Sequence, residues 1–196
     1  MTAIAYRTSD RTKFLRAWLQ NPLRIAAVTP SSKSLAQLIT SEVDCSTGCV
    51  IELGPGTGVF TNVLLERGVL EDNLVLIEQD DDFADILKQR FPTASVLHVD
   101  ASKIGYYAIA DKSFGATISG LPLLSMSHRK VFAILKGSFR QMGQNGRFYQ
   151  FTYGPRCPIP RRVLDRLGLK AVRIGWTPYN IPPAAVYRVS RRPALI

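Results

Sequence analysis

The chain is poor in the residues that hold metals or disulfides. It has three cysteines, Cys45, Cys49 and Cys157, and two histidines, His98 and His128. None of these has the paired spacing of a zinc site, and an odd cysteine count leaves no closed disulfide set. The sequence therefore implies no metal, and thiols that are structural or incidental. Long apolar runs are also missing. None reaches the roughly 18 residues that a membrane-crossing helix requires, and the N-terminal MTAIAYRTSDR lacks the apolar stretch of a secretion signal. The expectation is a cytoplasmic protein. Acids, finally, are scarce in one part of the chain. Residues 129–196 hold 14 Lys/Arg and one acid, Asp165, a balance of +13, whereas residues 1–128 hold 11 Lys/Arg and 14 Asp/Glu, a balance of −3. Such asymmetry predicts an anionic partner, either nucleic acid or an anionic membrane surface, with a merely solvated basic face as the alternative.

What is present points to one α/β domain. The 196 residues, 46% of them hydrophobic, suffice for a single core spanning 1–196. Apolar runs bounded by turn residues alternate with helical patterns, as in parallel βα units. Seven strands are predicted, at 49–54, 73–79, 95–100, 114–120, 146–154, 170–177 and 184–191, with helices at about 57–68, 80–90, 128–142 and 158–167. Two further helices, about 9–20 and 31–41, precede the first strand and make 1–42 a helical lid or membrane-contacting segment. Only PYNIPP separates the last two strands, too short for a helical crossover, so they form an antiparallel hairpin. The fold class is a Rossmann-like, mostly parallel seven-stranded sheet with helices on both faces.

The segment VIELGPGTGVFT, residues 50–61, carries the strongest local signal. Gly54, Gly56 and Gly58 follow a buried strand and lead into a helix, so the bare loop can wrap against a ligand at a helix N-terminus. A dinucleotide site would want G-x-G-x-x-G and an anion-attracting start. Here Glu52 stands at the strand end, and an acid there repels phosphate but suits a cation such as the sulfonium and ammonium of S-adenosylmethionine. A structural turn without ligand is the competing reading. Glu78 ends the second strand, placed to accept hydrogen bonds from ribose hydroxyls. Asp100 ends the third at the same edge and is placed to meet an adenine amino group. Asp80, Asp81 and Asp82 read as cap and first-turn charge of the next helix.

VIELGPGTG, LIEQD, HVDAS and the terminal hairpin resemble the class I S-adenosylmethionine-dependent methyltransferases. FLRAWLQNPLRIAAVTPSSKSLA, ISGLPLLSM, FTYGP and NIPPAAVYRV are similar to the bacterial phospholipid N-methyltransferases, which convert phosphatidylethanolamine to phosphatidylcholine. The resemblance covers about residues 12–192. It implies S-adenosyl-L-methionine as cofactor, S-adenosyl-L-homocysteine as product, a phospholipid substrate, no nucleic acid, no metal, and a place on the inner face of the cell membrane. Candidate cofactor contacts are Glu52, Gly54, Gly56, Thr57, Gly58, Glu78, Gln79, Asp100, Ala101 and Ser119.

The remaining candidates concern lipid. On a helical wheel Phe14, Leu15, Trp18 and Leu19 share one face, with Lys13 and Arg16 opposite and Arg7, Arg11 and Arg24 nearby, which is an interfacial pattern or that of an ordinary packed helix. Ser31 or Ser32 reads as the cap of the next helix. In SGLPLL, Pro122 holds Leu121 extended and aims the carbonyls of Ser119 and Gly120 at the cleft. Relatives that act on adenine N6 in nucleic acid carry Asn where Ser119 stands and an aromatic where Leu123 stands. Leu121, Leu123 and Leu124 instead read as an apolar wall or as core. Tyr153 is the candidate amine contact, by hydroxyl or cation–π attraction, or a structural tyrosine. Arg156, Arg161 and Arg162 are candidate phosphate contacts or solvated cations, and His128 is a base or, more simply, a helix cap. Three functions stay open: a lipid N-methyltransferase, a nucleic-acid methyltransferase of the ribosomal RNA adenine N6-dimethylating kind, and a non-catalytic membrane-binding protein with this fold.

Overall fold

A computed structural model describes residues 30–107, 109, 113–154, 156–180 and 183–193. The stripe of Phe14, Leu15, Trp18 and Leu19, with Lys13, Arg16, Arg7, Arg11, Arg24 and the helix expected at 9–20, lies outside them.

Strands β1 (Cys49–Leu53), β2 (Leu74–Glu78), β3 (Ser95–His98), β4 (Phe114–Ser119), β5 (Met142–Thr152), β6 (Leu169–Thr177) and β7 (Ala184–Arg191) form one sheet in the order β3-β2-β1-β4-β5-β7-β6. The first five run parallel, and β7 is antiparallel to both β5 and β6. Helices α1 (Pro30–Ile39), α2 (Val59–Glu66), α3 (Asp81–Arg90), α4 (His128–Gln141) and α5 (Arg161–Arg166) complete the described elements, with short 3-10 turns at Cys45–Thr47, Glu71–Asn73, Ala101–Tyr106 and Leu123–Ser125 that periodicity did not reveal.

Alternation along the strands builds two cores. Ile51 and Leu53 of β1 face Ile104, Ile134 and Leu135 on one side, while Val50 faces Leu35, Ile39 and Leu64 on the other. Burying each such aliphatic side chain stabilises the fold by roughly 1.5–3 kcal/mol. Helix α1 joins the second layer through buried Leu35, Ala36 and Ile39. Arg67, just past α2, ties the two helices by donating to the Thr40 hydroxyl at 2.9 Å and the Gln37 carbonyl at 3.0 Å. Two capping expectations are corrected. Helix α1 begins at Pro30, so Ser31 and Ser32 sit inside its first turn rather than at its cap. Ser127, not His128, caps α4 by accepting from Lys130 N, and His128 is the first helical residue. Asp80 caps α3 as the sequence implies, accepting from Phe83 N at 3.1 Å.

The sheet order places β1 centrally, with β2 and β3 to one side and β4 to the other. Successive crossovers diverge there, leaving a crevice past the C-terminal ends of β1 and β4, where open α/β sheets bind ligands.

Candidate active site

The loop leaving β1 is shaped by its glycines. Gly54, Gly56 and Gly58 take φ of 65°, 56° and 82°, the left-handed region that side chains disfavour. At Gly54 a Cβ would lie 2.8 Å from Leu121 Cδ2, and at Gly58 one would lie 2.5 Å from Phe91 Cε2. The backbone of the β4 loop also closes on it: Gly120 N donates to Leu53 O at 2.8 Å, and a Cβ on Gly120 would sit 2.7 Å from Gly54 O. Bare backbone thus meets bare backbone at the crevice.

A small cleft opens beside this contact, lined by Gly54, Glu78, Gln79, Asp100, Ala101 and Leu121, and by Ile77, Val99, Met126, Lys130 and Ile134. The first six are sequence candidates that the fold brings together. The other five were missed. Ile77 and Val99 flank acids already singled out, but Lys130 and Ile134 reach the cleft because α4 packs across it, and Met126 because the turn after β4 leads into that helix.

Glu78 is nearly buried and anchors the loop. Its Oε2 accepts from Gly56 N at 3.1 Å, and its Oε1 accepts from Gln79 N at 2.8 Å and Asp80 N at 3.1 Å. A carboxylate has about four acceptor positions, so a further hydroxyl can still be received. Asp100 accepts from Ser102 N at 2.9 Å and pairs with Lys130 Nζ at 2.9 Å. Partial burial works to raise this carboxyl, but the hydrogen bonds from Ser102 and Lys130 outweigh it and hold it below the ordinary value. Thr57 contributes its carbonyl to the Arg90 guanidinium.

Glu52 does something the sequence did not foresee. It is fully buried and turned away from the cleft lining toward α2, where Oε2 accepts from the Thr61 hydroxyl at 2.7 Å while Oε1 has no hydrogen-bond partner among the described residues. Burial pushes its carboxyl up to about 8, only partly offset by the Thr61 hydrogen bond, with the nearby Glu78 charge adding to the rise. At neutral pH it is mostly protonated, so it does not supply the fixed negative charge expected of it.

The substrate candidates separate. Ser119 is buried, its hydroxyl accepting from Leu121 N at 3.4 Å. Leu121 lines the cleft, Leu123 is 2% exposed and packs into the core, and Leu124 points to solvent, so of the two readings, wall or core, Leu121 takes the first, Leu123 the second and Leu124 neither. The loop after β4 is fastened to β5, which Pro122 alone did not imply: Gln150 Nε2 on β5 donates to the Leu121 and Phe151 carbonyls, each at 2.9 Å. Tyr153 follows β5 directly and sits edge-on to Phe151 with ring centroids 5.3 Å apart, while Phe60 meets Phe151 at 6.1 Å. Burial pushes the Tyr153 hydroxyl up to about 12, opposed by a hydrogen bond with Asn180. Arg156 is exposed in the following loop. Arg161 is drawn away, pairing with Asp165 at 3.3 Å, and Arg192 from the far end of β7 reaches the same carboxylate. Other C-terminal cations are likewise structural: Arg188 pairs with Glu42 at 2.7 Å, and Arg191 donates to the Gly143 carbonyl at 2.7 Å. No group of three or more His, Cys, Asp and Glu that could hold a metal occurs among the described residues.

The cleft chemistry suits a nucleoside without phosphates. Ile77, Val99 and Ile134 offer apolar walls, Glu78 and Asp100 offer acceptors, and the two carboxylates disfavour pyrophosphate. The same architecture occurs in magnesium protoporphyrin IX methyltransferase of Synechocystis, solved with bound S-adenosylmethionine. It is 13% identical, with a TM-score of 0.63, over 97% of this chain and 100% of that one. The sheet order and this likeness define a Rossmann-like fold, and the match to a methyltransferase family over most of the chain makes it an S-adenosylmethionine-dependent methyltransferase. More narrowly, the family described as Ribosomal RNA adenine dimethylase matches residues 9–137, and the chain belongs to it. Two relatives differ in how far they correspond. Ornithine lipid N-methyltransferase of Singulisphaera acidiphila is 29% identical over 191 residues, covering 89% of this chain and 92% of that protein. Ribosomal RNA small subunit methyltransferase A of Salinibacter ruber is 28% identical over 125 residues, covering 64% of this chain and 39% of that enzyme. The lipid relative is named for ornithine lipid, where the sequence resemblance implied phosphatidylethanolamine.

Proposed function

We propose that this protein N-methylates the amine of a membrane lipid, taking phosphatidylethanolamine and its mono- and dimethyl forms toward phosphatidylcholine at the inner face of the cell membrane. The observation that carries this reading is the end-to-end correspondence with a lipid N-methyltransferase, 89% of one chain and 92% of the other. Glu78 and Asp100 would hold the ribose and adenine of the cofactor, with Gly54, Gly56 and Gly58 giving its backbone-close path. When bound, the cofactor supplies an electrophilic methyl on a sulfonium. The chain's own residues then bind and orient the amine. Gln150 fixes the Leu121 carbonyl, and Leu121, Met126 and Ile134 keep water from the cleft. Alignment of the amine lone pair supplies much of the acceleration. Tyr153, with its hydroxyl pushed up to about 12, stays neutral and serves as hydrogen-bond partner or aromatic face rather than as base. Water takes the proton that the ammonium must lose.

A second reading, methylation of adenine N6 in ribosomal RNA, is favoured by the family match over residues 9–137. Against it, the position where nucleic-acid relatives carry a stacking aromatic is Leu123, 2% exposed and unable to meet an extruded base. The test is incubation with methyl-labelled S-adenosylmethionine and, separately, phosphatidylethanolamine vesicles, ornithine lipid vesicles and ribosomal RNA. Label in methylated phosphatidylethanolamine supports the proposal; label in RNA alone rejects it; label in ornithine lipid alone corrects the headgroup.

A further inference from the structure

The C-terminal edge of the sheet is divided by charge. The loops over β4, β5 and the β6–β7 turn, residues 120–130, 153–162 and 177–183, contain no Asp or Glu but hold Arg129, Arg156 and Arg162, besides Lys130 and Arg161, which pair with Asp100 and Asp165. Over β2, by contrast, the edge carries Asp80, Asp81 and Asp82. The acid-free side also exposes large apolar groups. Leu124 is 62% exposed in the turn after β4, Trp176 is 57% exposed at the end of β6, and Tyr179 is 78% exposed in the β6–β7 turn.

These groups share one rim. Trp176 lies opposite Ala185, and Ala185 opposite Thr152, so the indole stands two strands, about 10 Å, from the residue that precedes Tyr153. The Tyr153 hydroxyl bonds Asn180 in the same turn as Tyr179, and the Leu121 carbonyl, three residues before Leu124, is bonded by Gln150 of β5.

We infer that this rim is a membrane-seating surface: Trp176, Tyr179 and Leu124 enter the headgroup–acyl boundary of an anionic bilayer, with the exposed Arg129, Arg156 and Arg162 against lipid phosphates. The inference rests on the lipid reading of the site and goes beyond it by assigning the face and the contact residues. Indole and phenol rings prefer the boundary between headgroups and chains, and each nearby cation adds attraction to anionic lipid. Seating here sets the cleft mouth at headgroup depth, so an amine can reach Tyr153 and Leu121 while its acyl chains stay in the bilayer. The acids over β2 tilt away. Nucleic acid would also meet the cations and rings, but exposed Leu124 offers no stacking face to a base, whereas a bilayer accepts it.

The chain has two tryptophans, so Trp18→Phe leaves Trp176 as the sole indole reporter. With vesicles of phosphatidylglycerol and phosphatidylethanolamine, its emission is expected to shift to the blue and to be quenched by lipids brominated on the acyl chain. In the otherwise natural chain, the Leu124→Ala, Trp176→Ala, Tyr179→Ala variant should bind these vesicles at least about tenfold more weakly, with cofactor affinity by calorimetry unchanged. Emission unaltered while the protein co-sediments with vesicles overturns the proposal, as does a shift induced by an RNA hairpin and not by vesicles. The two readings fail separately. Methylated lipid with an unshifted Trp176 refutes the seating alone, and a buried Trp176 with no lipid methylated refutes the substrate alone.

Discussion

Glu52 makes a measurable demand on the stability of this protein. Its carboxyl is pushed from 4.5 to about 8 by complete burial, with one oxygen bonded to Thr61 and the other without a partner among the described residues. In the unfolded chain the group loses its proton near 4.5, whereas the folded chain keeps it to about 8. The folded state therefore binds the extra proton in that window, and stability must fall as pH rises through it, by about 1.4 kcal/mol per pH unit. Between pH 5 and pH 8 this amounts to about 4 kcal/mol. Glu52→Gln keeps the shape and removes the titration, while every other ionisable group contributes to both proteins alike. Urea unfolding followed by far-ultraviolet circular dichroism at the two pH values isolates the term. With a denaturant slope of roughly 2 kcal/mol/M, the midpoint of the natural chain should drop by about 2 M more than that of Glu52→Gln. Equal pH dependence in both proteins would show that the buried carboxyl does not hold its proton, and would refute the argument.

Glu78→Ala removes the acceptor of three backbone N–H groups and the proposed ribose contact, so cofactor affinity by calorimetry should weaken at least about tenfold; an unchanged affinity would take Glu78 out of the cofactor site. Gln150→Leu strands the Leu121 and Phe151 carbonyls without their donor. It should cost about 1–3 kcal/mol in thermal unfolding and slow transfer more than it weakens cofactor binding. Because the Tyr153 hydroxyl is pushed up to about 12, it stays protonated throughout the accessible range, so Tyr153→Phe should lower the transfer rate without reshaping the pH–rate profile below pH 10. An alkaline limb that vanishes in the variant would show that the phenol ionises.

Read alone, the sequence determined the sheet and one side of the cleft. Strand runs and turn residues located all seven strands, and the six-residue PYNIPP link required the last pair to be antiparallel, as β6 and β7 are. Gly54, Glu78 and Asp100 were legible because each ends a strand or follows one within two residues, and parallel strands bring their C-terminal ends to one edge. Long-range packing decided the rest. Alternation fixes that Glu52 and Leu53 face opposite sides of β1 but not which side holds the cleft, and only the docking of α2 and α4 turned Glu52 toward Thr61 and Ile134 toward the ligand space. The same holds for SGLPLL, where adjacent leucines line the cleft at Leu121, enter the core at Leu123 and meet solvent at Leu124. Likewise Arg161, close to Tyr153 along the chain, is held elsewhere by Asp165 on its own helix, a carboxylate that Arg192 also reaches from just past β7. Local pattern sets the period of a side chain's direction, and what it faces is set by elements that arrive from a distance along the chain.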